Sequence, residues 1–155
     1  MSFRIHALPR DLFSPLFALP DDALRARDIR RVVADGRPVY PCRVSLEDAG
    51  EGERLLLLPH AHHVVDTPYR ASGPVYVREA AVEATPDVGE VPALLRTRLL
   101  SLRAYDAHGM MVWADVRPGT ELEAGLDELF ALERTDYVHL HYAKPGCYAC
   151  RAVRA

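Results

Sequence analysis

Two stretches that must fold back on themselves constrain this chain more than anything else in it. Leu99–Tyr105 and Met111–Val116 flank Asp106-Ala107-His108-Gly109, and Tyr137–Tyr142 and Cys147–Val153 flank Ala143-Lys144-Pro145-Gly146. Turns of this composition join antiparallel neighbours, because glycine reaches positive φ at no steric cost and proline presets the turn's first φ. Each pair therefore predicts a hairpin, and two hairpins in the C-terminal third commit the chain to an antiparallel sheet.

The remaining segments agree with that reading. Phe3, Ile5 and Ala7 alternate with Arg4 and His6, as on an opening strand. Arg30–Ala34 and Val39–Leu46 are strand candidates across Asp35-Gly36-Arg37-Pro38. Glu53–Leu58 is apolar enough to be buried on both faces, and Val75–Arg78 is a further strand. Helical signals are short: Pro9–Leu19, interrupted by Pro15; Pro20 to about Arg27, with Asp21 and Asp22 near its positive end; and Val91–Arg98. Thr120 and Glu123 form a capping box ahead of Leu122, Leu126, Leu129 and Phe130, predicting an amphipathic helix to about Leu132. Pro59–Pro74, with its histidines, and the acidic Glu83–Glu90 read as loops. Many short strands without βα alternation predict an α+β fold, a mainly antiparallel sheet with a few short helices packed on it. The 155 residues suffice for a single compact domain over 1–155.

Several functional classes are excluded on physical grounds. A net charge of −3 gives no overall reason to bind nucleic acid. The longest clean apolar run, Leu55 to Pro59, is too short to span a bilayer, and the start MSFRIHALPRDLFSPLF lacks an apolar signal-peptide region. The expectation is a cytoplasmic protein without membrane contact, in which Cys42, Cys147 and Cys150 are thiols. No glycine-rich phosphate loop, dinucleotide fingerprint or nucleophile elbow occurs, so no cofactor is identified.

The chemistry concentrates in DYVHLHYAKPGCYACR, residues 136–151. His139 and His141 are two apart and share one face of a strand, whereas Cys147 and Cys150 are three apart and do not. A two- or four-residue turn would set the histidines beside Cys150 and a three-residue turn beside Cys147. A regular hairpin cannot give all four to one zinc ion. The same residues could form a tight core hairpin with Val138, Leu140 and Tyr142 on the packed face. They could equally present paired imidazoles on the open face as acid, base or anion clamp. His60, His62 and His63 read as part of a solvated loop. Arg43, Arg70, Arg78 and Arg103 sit in strand-like or strand-flanking positions. If convergent, they could hold a carboxylate or phosphate by forked hydrogen bonds; otherwise each pairs with an acid such as Glu47, Glu79 or Asp106. Cys42, beside Arg43, is a candidate nucleophile.

Four blocks, PCRVSLEDA at 41–49, YRASGPVYVRE at 69–79, RAYD at 103–106 and HLHYAKPGCYACR at 139–151, together resemble the bacterial domain of unknown function 1203 family. The resemblance covers essentially the whole chain and implies a compact protein of about this length, without naming an activity. The blocks contain Cys42, Arg43, Tyr69, Arg70, Arg78, Arg103, His139, His141 and Cys147. These are the candidate site residues: His139, His141, Cys42 and Cys147 for catalysis, the arginines and Tyr69 for binding an anionic small molecule. No metal ligand set is assigned. The alternatives are a noncatalytic interaction module, with a homodimer as one form, and a metal-dependent enzyme using His139 and His141.

Overall fold

The computed structural model describes residues 2–155 and gives an α+β fold with eight strands in two antiparallel sheets. In chain order the elements are β1 (Phe3–His6), α1 (Asp21–Arg25), β2 (Arg30–Val33), β3 (Arg54–His63), β4 (Ala71–Arg78), α2 (Ala93–Arg96), β5 (Leu99–Tyr105), β6 (Met111–Pro118), α3 (Leu122–Ala131), β7 (Tyr137–Tyr142) and β8 (Tyr148–Arg154). The larger sheet has the order β1-β8-β7-β5-β6 and the smaller β2-β3-β4. The chain divides into two compact units. One comprises Met1–His6, Ala61–Gly73 and Thr85–Ala155; the other comprises Ala7–His60 and Pro74–Ala84.

Both predicted hairpins form. In the first unit, α3 lies against β5, β6 and β7. Its buried residues Leu122, Gly125, Leu126, Leu129 and Phe130 recur at three- and four-residue spacing and make one apolar stripe. The sheet answers with Leu102, Leu140 and Cys150, which oppose one another across β5, β7 and β8 and are all fully buried. Arg154 closes the far end of α3, donating to the carbonyls of Phe130, Leu132 and Thr135. The predicted capping box is absent. A 3-10 turn at Gly119–Glu121 precedes α3, no side chain caps it, and Glu123 pairs instead with Arg96.

The second unit has its own core, in which Phe13, Leu24, Ile29, Cys42, Val44, Leu56, Leu58, Val75 and Val77 pack together. The helical segment expected over Pro9–Leu19, interrupted by Pro15, is two 3-10 turns, Arg10–Leu12 and Ser14–Ala18, with Pro15 in the first turn of the second. The strand expected over Val39–Leu46 is not formed. The chain curls tightly instead, with Cys42 N–H donating to Glu47 O, Ala49 N–H to Tyr40 O and Leu46 N–H to Cys42 O, and Leu46 taking φ of 52°. Isolated bridges Pro41–Asp48 and Cys42–Tyr76 are all that remain of extended pairing. Pro41, which lacks a ladder donor, and the fully buried Arg43, which bonds Pro41 O at 2.6 Å, favour the curl over a strand.

The Pro59–Pro74 loop is also shorter than its composition suggests. β3 continues through Pro59 to His63 and β4 begins at Ala71, both prolines being exposed on their strands. No helix among the described residues is long and apolar enough to cross a membrane.

Candidate functional site

The register of the larger sheet lays out a grid of polar and aromatic side chains on the face opposite α3. Directly opposed residues of antiparallel strands point to the same side, so each cross-strand row is one line of side chains. The central row is Arg103–His139–Arg151, with His6 beyond Arg151. On one side of it runs Tyr105–Tyr137–Val153, and on the other Ser101–His141–Tyr148. The irregularity between Leu140 and His141 moves Tyr148 opposite His141.

That shift decides where the thiols go. Cys150 opposes Leu140 and faces α3, and Tyr148 takes the place beside His141 that the hairpin geometry allotted to a cysteine. Cys147, half-buried, stays in the turn, where its carbonyl accepts the Tyr142 N–H.

A second segment of the same unit contributes more imidazoles. His62 and His63, expected in a solvated loop, end β3, and His63 is buried. The His62 ring stacks on Tyr148 at 5.1 Å and 14° and meets His141 edge-on at 5.1 Å. The His63 ring lies 4.9 Å from His139 and 4.3 Å from Tyr105. Four histidines thus cluster with Tyr105, Tyr137 and Tyr148, and Tyr69 meets the edge of the group 6.1 Å from Tyr105. His139 and His141, on a strand buried along its whole length, are only 3% and 1% exposed.

Two of the tautomers follow from their partners. His63 Nδ1 lies 2.7 Å from the Tyr69 carbonyl, which only accepts, so in the neutral ring Nδ1 carries the proton. Nε2 is then the acceptor for the Tyr137 hydroxyl at 2.6 Å. Burial raises the pKa of Tyr137, against the opposing pull of Arg151, and keeps it the phenol this bond requires. His141 Nδ1 likewise donates to Gly146 O at 3.0 Å. Gly146 can present that carbonyl because glycine alone takes its φ of 80° without strain.

His139, at the centre, differs. Its Nδ1 is buried and has no hydrogen-bond partner among the described residues. Burial first, then the neighbouring His63, His141, His62 and Arg151, pushes its pKa down to about 2. The ring is therefore neutral at physiological pH.

The arginines flanking it carry the electrostatics of the face. Arg103 is half-buried and has only Ser101 Oγ, at 3.3 Å, and the Tyr105 hydroxyl as partners. Arg151 is exposed and lies over the Tyr137 ring, 4.2 Å from its centroid. Neither has a carboxylate partner among the described residues. Arg103, half withdrawn from water without a counter-charge, favours an external anion, and the exposed Arg151 is free to reach the same one.

The other predicted residues sit differently. Arg70 is exposed, its amide bonding Thr67 O. In the second unit, Arg78 already holds two acids: Glu53 accepts from its Nη2 at 2.6 Å and its Nε at 3.1 Å, and Glu47 from Nη1 at 2.9 Å. Ser45 Oγ takes a further bond at 3.0 Å. Cys42 is wholly buried, and its sulfur accepts the Ser45 and Arg78 amides at 3.5 and 3.3 Å. Cys42, Arg43 and Arg78 thus form the polar frame of that unit's core. Arg78→Ala is expected to lower stability by about 2 kcal/mol, the usual scale for a charged hydrogen-bonding group removed from its partners. The urea midpoint measures it, and an unchanged midpoint would show the ion pair to be dispensable.

Sequence reasoning passed over His62, His63, Tyr105, Tyr137, Tyr148 and Arg151. Period-two alternation placed Tyr105 with Arg103 and Tyr137 with His139, a usable signal. Arg151 needed the hairpin register. The two β3 histidines carried no local signal against the loop reading.

A family model described as "Protein of unknown function (DUF1203)" matches residues 39–154. The chain belongs to that family. No curated protein matches it, and no solved structure does. The matched span contains every residue of the grid except His6. Among the described residues, no group of three or more His, Cys, Asp or Glu side chains is arranged to hold a metal ion.

Proposed function

We propose that this DUF1203 protein binds an anionic small molecule on the face of its larger sheet, between Arg103 and Arg151. One observation carries the reading: two guanidiniums with no carboxylate partner stand either side of a neutral imidazole in a single cross-strand row. With strands about 4.8 Å apart, their Cα atoms are roughly 10 Å apart. Long, forked side chains from such positions can converge on one carboxylate, phosphate or sulfate group. Tyr105, Tyr137 and Tyr148 supply ring surface around it. Arg78 and Arg43, held within their own unit, are not part of this reading.

A thermal-shift titration with phosphate, sulfate and simple di- and tricarboxylates tests it. A ligand at 100-fold excess over its Kd stabilises the native state by about 2.7 kcal/mol, a shift of roughly 5–11 °C for a chain of this size. Arg103→Ala and Arg151→Ala should each abolish most of that shift while leaving unliganded stability within about 1 kcal/mol. Stabilisation that survives both substitutions, or none by any oxyanion, overturns the reading.

A further inference from the structure

Resting on that anion site, we propose that it takes up its ligand together with a proton, and that His139 is the group that receives the proton. The argument is geometric. His139 is the middle residue of the row, with Arg103 opposite it on β5 and Arg151 opposite it on β8. A ligand bridging the two guanidiniums must pass over or beside the imidazole between them. The Nδ1 atom is buried and has no hydrogen bond among the described residues, an unmet polar position at the centre of the site.

Burial and the neighbouring His63, His141, His62 and Arg151 oppose a positive charge on the ring in the empty site. From β5 come Arg103 and the phenol Tyr105; from β7, Tyr137 and His141; from β8, Tyr148 and Arg151; and from the end of β3, His62 and His63. That set holds two cations, three further imidazoles and three phenols, with no carboxylate. Burial and the neighbouring charges hold the empty-site ring neutral. An oxyanion on Arg103 and Arg151 reverses the sign of the local field. It offsets the repulsion from the guanidiniums and sets a counter-charge beside the buried ring, which stabilises the imidazolium. The proton balance is simple: solvent loses one proton, His139 gains it, and the anion accepts the new N–H. A ligand held this way has a proton donor poised at its oxygen, the arrangement a general-acid step requires.

Two of the other histidines in the cluster are less suited to the role. His63 has both ring nitrogens committed, to the Tyr69 carbonyl and to Tyr137. His141 has Nδ1 committed to Gly146.

Isothermal titration calorimetry of the full chain with sodium sulfate tests this, because sulfate does not titrate near neutrality. Heats are compared between two buffers of different ionisation enthalpy at several pH values from 5.5 to 7.5. The expected result is uptake approaching one proton per sulfate at the acid end, with affinity falling by up to about tenfold per pH unit above the bound pKa. His139→Gln should still bind sulfate, with uptake gone and the pH dependence flattened, while His141→Gln keeps the uptake. Sulfate binding that requires Arg103 but takes up no proton overturns the coupling and leaves the anion site standing. Uptake that persists in His139→Gln overturns the assignment to His139. No Arg103-dependent sulfate binding in any of these conditions overturns both.

Discussion

Gly119→Ala should lower the melting temperature by about 6 °C or more, the largest effect expected of any single methyl group in this chain. Gly119 follows the last residue of β6 and opens the turn that leads into α3. Its N–H donates to Arg98 O at 2.7 Å, which draws the two backbones together. A Cβ at this position would stand 1.8 Å from Leu95 O, 2.7 Å from Leu95 C and 2.8 Å from Arg96 Cα. All three are main-chain atoms, so no side-chain rotation relieves the clash. Either the α2 segment or the β6–α3 junction must move, at a cost near or above the top of the overpacking range, about 3 kcal/mol. For a chain of this length that is roughly 6–12 °C.

Gly125→Ala is the internal control. Its Cβ would approach Leu102 Cδ2 at 2.8 Å and Arg117 Cδ at 3.1 Å, both side-chain atoms that can yield. Alanine also gains about 1 kcal/mol in a helix interior. The net change should stay within about 1 kcal/mol. Equal losses at the two sites, read by circular dichroism melts, would mean that backbone approach does not limit Gly119. Because α3 lies against the strands that carry Arg103 and His139, a loosened Gly119 junction should also weaken sulfate stabilisation.

Local chemistry made part of this architecture readable. The two C-terminal hairpins and the stripe of α3 rest on turn residues and periodicity, which act within a few residues of themselves. The curl at residues 40–49 was hidden because its cause is a tertiary preference, the burial of Arg43, in a segment whose apolar pattern suits a strand. His62 and His63 were hidden for the opposite reason. Their surroundings carry proline and polar residues, yet strand pairing extends β3 through them. The site itself was half legible: alternation put His139 with His141, and the same signal, unused for Tyr105, pairs it with Arg103. Joining those pairs required the register, and a single irregularity at Leu140/His141 determined whether a tyrosine or a cysteine stood beside the imidazole.

Acid should unfold this protein through His139 before its carboxylates titrate fully. The ring's pKa falls from an ordinary 6.5 to about 2 in the folded chain, through burial and then through its charged and imidazole neighbours. Between those values the unfolded chain binds a proton that the folded chain refuses. The native state's advantage is complete above pH 6.5 and is lost as the pH drops below it, at about 1.4 kcal/mol per pH unit. From pH 6.5 to 4.5 the loss is about 2.3 kcal/mol, or roughly 5–9 °C in melting temperature. Glu53, held low by its hydrogen bonds to Arg78 and the Gly50 amide, acts in the same direction but lower, its share being lost as the pH falls below the ordinary carboxylate value of 4.5. Urea unfolding at pH 6.5, 5.5, 4.5 and 3.5 separates the two, because His139→Gln should remove the slope between pH 6.5 and 4.5 and leave the part that Glu53 adds below 4.5. Parallel curves for the two proteins would mean that His139 accepts a proton in the folded state without cost. The same experiment in saturating sulfate bears on the site's chemistry. An anion between Arg103 and Arg151 gives the incoming proton a counter-charge, so the acid slope of the wild-type protein should flatten toward that of His139→Gln. A ring neutral because its surroundings repel charge would then be one that the ligand makes basic.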